Sequence, residues 1–180
     1  MDPVSLLRMQ LENAHQTLEG TLGDISQEDA HKEPGGRAFK VAALYGHVVC
    51  SEDMIINGML RRAAPLHASS WAGRTGFSQV MPAPTTDVQG GWADAHDRWA
   101  RELRIELTQA RAYAQAVQAD ALEYVSSLAP EDLGRTLELT FLPPTPLGMV
   151  VTMFVVGHYY ALAGEMSAVK GVIGLKGYPF

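Results

Sequence analysis

Cysteine is almost missing from this chain of 180 residues, with Cys50 standing alone. No intrachain disulfide can form, and neither a thiolate zinc site nor a Cys-x-x-Cys redox pair is available. A reducing, cytoplasmic setting is therefore expected. Cations are also few: 14 Lys and Arg stand against 20 Asp and Glu, for a formal charge of −6. They are scattered, and the doublet Arg61-Arg62 is too short to form a patch. A nucleic-acid partner is not expected, because such partners need concentrated positive charge to neutralise phosphates. Long hydrophobic runs are lacking too. The longest apolar stretch, residues 147–156, is too short to cross a bilayer, so no membrane partner is expected either. Residues 1–5 show no basic region leading into an apolar run, hence no signal peptide is expected. Strand-like sequence is nearly absent: residues 137–142 form the one β-like fragment, and no glycine-rich phosphate loop follows a strand.

What the sequence does contain is helical periodicity, in a chain that is 47% hydrophobic and of a length for one domain spanning 1–180. Asp2-Pro3 is a helix start, with a capping carboxylate and a ring that presets the first helical dihedral. The first helix is expected over 4–22, with an inner stripe of Leu7, Leu11, Ala14 or His15, Leu18 and Leu22. Gly23-Asp24 stops it, and a short turn from Ser26 ends at Pro34-Gly35-Gly36. A second helix over 38–62 buries Val41, Leu44, Val48, Ile55 and Met59 and carries His47 on or near its inner face. Residues 63–91 hold prolines, glycines and no sustained period. A connection of this length tends to act as a cover, with Trp71 and Phe77 packing over something.

Residues 92–128 could form one helix, but at 1.5 Å per residue it would reach roughly 55 Å, so a break is expected at 104–108 with Thr108 capping the next helix. Thr145 is expected to cap the last helix, with Pro146 at its first position. The expected fold class is all-α: a four-helix bundle with a long crossover between helices two and three.

The last helix carries ionisable groups on its inner stripe: Leu147, Val151, Phe154, His158, Leu162, Glu165, Val169. A buried carboxylate must be paired, hydrogen-bonded or neutralised, so Glu165 is expected to meet a partner or an opening to solvent. This helix should form one wall of a site.

His47, His158, the phrase Gly164-Glu165-Met166, the turn from Leu128 through Pro130 to Leu133 and the tail from Lys170 to Phe180 together resemble the DinB/YfiT-like superfamily across nearly the whole chain. The resemblance implies a four-helix bundle, a homodimer, and a divalent metal held by one histidine of helix two and a His-x-x-x-His pair of helix four. It also implies, for some members, transfer or isomerisation chemistry on a low-molecular-weight thiol. His47 and His158 match the first two ligands, for zinc or nickel; Leu162 stands at the third and cannot ligate. Catalytic residues stay unassigned. Glu165, Cys50, Ser51 and His96 are the conceivable substitutes, none at a known spacing. The alternatives are a member that has lost its metal and binds a small molecule without catalysis, with His47 and His158 as hydrogen-bonded core histidines, or a structural stress-related dimer.

Overall fold

The computed structural model describes residues 1–84, 90–139 and 142–179. The centre of the expected cover at 85–89, residues 140–141 of the β-like fragment and the terminal Phe180 lie outside the described residues.

Helix α1 spans Pro3–Thr21 and begins as expected, the Asp2 carboxylate accepting hydrogen bonds from the Val4 and Ser5 amides. Its buried stripe contains Leu7, Leu11, Ala14 and Leu18, and also His15. A short helix α2, Gln27–Ala30, comes next, capped by Ser26. Helix α3, Val41–Asp53, passes without interruption into a π-helical segment, Met54–Leu60. Helix α4, Gly91–Glu102, and helix α5, Leu107–Ser126, are separate. The break falls where the length of a single 55 Å helix argues for one, but the cap is Glu106, whose carboxylate accepts from the Thr108 and Gln109 amides, and not Thr108.

Strands β1, Thr136–Leu139, and β2, Leu142–Pro146, pair antiparallel as a small hairpin. Thr145 and Pro146 therefore end a strand, and Pro146 itself precedes helix α6, Leu147–Val151, with no side-chain cap. A second π-helical segment, Thr152–Val156, joins α6 to α7, Gly157–Val172. Together these form one helix, Leu147–Val172, of 26 residues with a mean hydropathy of 1.5 in its most apolar window. By length and composition it could cross a membrane, which corrects the expectation of too short a stretch: the apolar character continues past His158.

Helices α1, α3, α5 and α7 make the four-helix bundle: α1 packs on α5 and α7, and α3 packs on the same two. Tyr45, Tyr113 and Tyr159 fill its centre together with Leu11, Leu18 and Met166. The crossover between α3 and α5 holds Leu66–Ala68 as a turn, pairs Phe77 with Ile105 in an isolated bridge, and buries Met81. It then lays α4 against α3. That approach depends on Gly46, where a β-carbon would stand 2.6 Å from Leu103 Cδ2.

Candidate small-molecule site

Both π-helical segments face the same space. A π turn inserts an extra residue into the helix, loosens the i→i−4 ladder and re-aims side chains, and such turns concentrate at functional sites. Met54, Ile55 and Met59 from the first segment and Met153 and Phe154 from the second line a cavity of about 370 Å³. Trp92, Met81, Pro84 and Leu139 cover it, and Ala161 sits at its rim. The size suits a small organic molecule, and thioether side chains adapt to varied shapes.

The polar part of this wall is His47, Ser51 and His158. His47 comes from α3, and His158 stands in the first turn of α7 directly after the π segment. Their ring centroids are 4.8 Å apart, so the structure brings the two expected histidines together. A third imidazole joins them: His96 of α4 places Nε2 2.5 Å from His47 Nδ1, and Trp92 and Trp99 flank its ring. Burial, followed by mutual repulsion, holds these rings uncharged. The His47 imidazolium is disfavoured by burial first and then by His158 and His96, lowering its pKa to about 3. Burial and then His96 lower His158 to about 4. His96 is lowered by burial, opposed by the Asp97 carboxylate.

Three neutral imidazoles have the right donor chemistry for a divalent ion, but their spacing does not fit one. Among the described residues no group of three His, Cys, Asp or Glu side chains is arranged to hold a metal ion.

The other two expected site residues sit elsewhere. Leu162 is 8% exposed and belongs to the core cluster, and Glu165 is exposed. Neither lines the cavity. Glu165 thus does not point into the core as the stripe implied, although partial desolvation still raises its carboxyl pKa. The aliphatic group at 162 is a packing residue.

Two buried acids that the sequence did not single out do find partners. Glu52, 1% exposed, accepts from the Tyr159 hydroxyl at 2.5 Å and lies 2.8 Å from His15 Nε2. Asp53 takes hydrogen bonds from the Leu66 and His67 amides, the His67 ring, Asn57 and the Tyr113 hydroxyl. Burial raises its pKa, but these donors outweigh that and bring it down to about 2. Cys50 is buried beside Asp53 and its thiol pKa is pushed well up, first by desolvation, so it is a packing residue. Tyr160 donates to Asn13 and not to the histidines.

The structure is a four-helix bundle whose second and last helices each carry a π turn beside an apolar, histidine-edged cavity. The chain belongs to the DinB superfamily, whose family model matches residues 10–159. Its fold is similar to that of a crystal structure described as the conserved protein of a locus from Enterococcus faecalis: TM-score 0.78, 20% identity, 97% of this chain and 99% of that one covered. No curated protein matches the sequence. The superfamily includes metal-binding members.

Proposed function

We propose that the protein captures a small, largely apolar molecule between its two π turns and meets that molecule's polar group with the uncharged imidazoles of His47 and His158. The observation that carries this reading is the placement of both π turns on one cavity whose polar wall is two neutral rings and the Ser51 hydroxyl. Among the described residues the His158 ring makes no hydrogen bond, so its nitrogens are available to a ligand as donor and acceptor. Leu162, where metal-binding relatives would supply a further nitrogen, supports a binding role over metal chemistry.

The test is titration with octanol, followed through Trp92, which is the one tryptophan of three on the cavity wall. Saturable quenching is expected, and Ala161→Trp, which fills the rim, should abolish it while leaving the circular dichroism spectrum intact. Absence of saturation, or binding indifferent to Ala161→Trp, would remove this reading.

Membership of a superfamily with metal-binding members favours a second reading: a divalent-metal-dependent transferase acting on a low-molecular-weight thiol. It requires His47 and His96 to part. Titration with zinc and nickel separates the two readings: micromolar affinity with a raised melting temperature supports the metalloenzyme, since an ion bound by the folded state stabilises it. No binding leaves the apolar site alone.

A further inference from the structure

Next to the apolar cavity lies a wider groove of about 760 Å³, and Met54, Met59, Pro84 and Leu139 line both. Its polar wall carries Arg61, Arg62, Arg135 and Glu138. On a chain of net charge −6 with 14 basic residues, three guanidiniums in one groove are a local reversal of sign. Arg61 is committed: it pairs with Asp120 at 2.6 Å, bonds Asn57, and lies over the Tyr124 ring. Arg62 and Arg135 are exposed and, among the described residues, neither forms an ion pair.

Arg62 is also placed against its own backbone preference. It comes after the π segment in the left-handed region, at φ 55°, and is the one non-glycine residue with positive φ among those described. A helix that ends this way ordinarily uses glycine, which has no β-carbon to clash. Arginine gives up that ease and gains a cation at the mouth of the groove. The field there reaches Tyr124: burial raises its phenol pKa, and Arg135 and Arg61 pull against that rise.

We infer that this groove is an anion subsite, and that the ligand of the neighbouring cavity is an amphipathic anion: an apolar body between the π turns and a carboxylate or phosphate held by Arg62 and Arg135. Guanidinium forks suit both anions because each can receive two parallel N–H donors. Glu138 on the same wall leaves Arg62 and Arg135 in the majority by one positive charge. The inference rests on the proposed reading of the cavity.

Octanol, octanoate and octyl phosphate share one apolar chain and differ in the head group, so titrating all three isolates the subsite. Octanoate and octyl phosphate are expected to bind about tenfold or more tightly than octanol, as charge-assisted hydrogen bonds would give. Whichever of the two is tighter identifies the head group. Arg62→Gly combined with Arg135→Gln should bring both anions down to the octanol affinity, leave octanol binding unchanged, and leave the melting temperature unreduced, because glycine relieves the left-handed backbone. If octanol binds and the anions gain nothing, or their gain survives the double variant, the subsite is wrong while the cavity stands. Failure of all three ligands to bind overturns the cavity and the subsite together.

Discussion

His47 Nδ1 stands 2.5 Å from His96 Nε2, so α4 is held to the bundle by a hydrogen bond between two rings that must share one proton. A second proton there would make one ring a cation and turn two N–H groups against each other. Both folded-state pKa values lie below the ordinary 6.5, as does that of His158. The unfolded chain therefore takes up protons first on acidification, and stability falls. The stabilisation is complete above pH 6.5 and is lost as pH drops toward about 4 and then 3. The melting temperature should decline over that window, and the decline should be shallower in His96→Asn. Equal slopes in the two proteins would show that the rings titrate freely.

A lower window belongs to Asp53. Its folded pKa of about 2 is below the ordinary 3.8, so its contribution is full above 3.8 and disappears as pH falls through 2. Asp53→Ala strands the Leu66 and His67 amides and the buried Tyr113 hydroxyl. We expect a loss of about 3 kcal/mol or more, from several charge-assisted bonds broken at once. Hydrogen exchange should rise first at Leu66 and His67. A loss below about 1 kcal/mol would mean that the crossover is anchored by other contacts.

Glu52 tests the bundle centre. Replacing His15 with alanine leaves this carboxylate buried with Tyr159 as a remaining donor, and uncompensated buried charges of this kind cost about 3–5 kcal/mol. Glu52→Gln, which keeps the shape and removes the charge, should cost less than His15→Ala in chemical denaturation. The reverse order would show that the pair is not held together by charge.

The cover of the cavity depends on a missing side chain. A β-carbon on Gly46 would meet Leu103 at 2.6 Å and Trp99 at 3.5 Å. Gly46→Ala should cost about 1–3 kcal/mol through overpacking. Because α4 carries Trp92 and His96, the same change should also weaken ligand binding, and Gly58→Ala, with only Pro65 at 3.7 Å, should do neither. Unaltered binding in Gly46→Ala would separate α4 from the site.

Much of this architecture is legible in the chain. The stripe Leu7, Leu11, Ala14 and Leu18, the Asp2 cap and the interruption after α4 all arise from local rules; helical spacing puts His47 and His158 on the inner faces of their helices, and their meeting across one space is what the family resemblance implies. The departure in the last helix is local. Leu147, Val151, Leu162 and Val169 of the expected stripe are buried, but from Leu162 the inner face of α7 continues four residues on, at Met166, so Glu165, three residues on, falls to its side. Helical spacing admits both steps, and the sequence pattern does not choose between them.

His96 is a different case. Its spacing from Trp92 and Trp99 puts the three on one helical face, but only the course of the long crossover decides which helix that face meets. The hairpin is hidden because the prolines at 143, 144 and 146 argue against a strand interior, whereas a two-stranded ribbon tolerates them at its edge.

The methionines allow the cavity itself to be tested. Of the eight in the chain, Met54, Met59, Met81 and Met153 line it, while Met1, Met9, Met149 and Met166 do not. With the methionine methyl groups labelled with carbon-13, titration with octanol should shift the resonances of the first four and leave the other four in place. Shifts confined to the exposed Met1, Met9 and Met149, or spread evenly over all eight, would show that no ligand enters between the π turns.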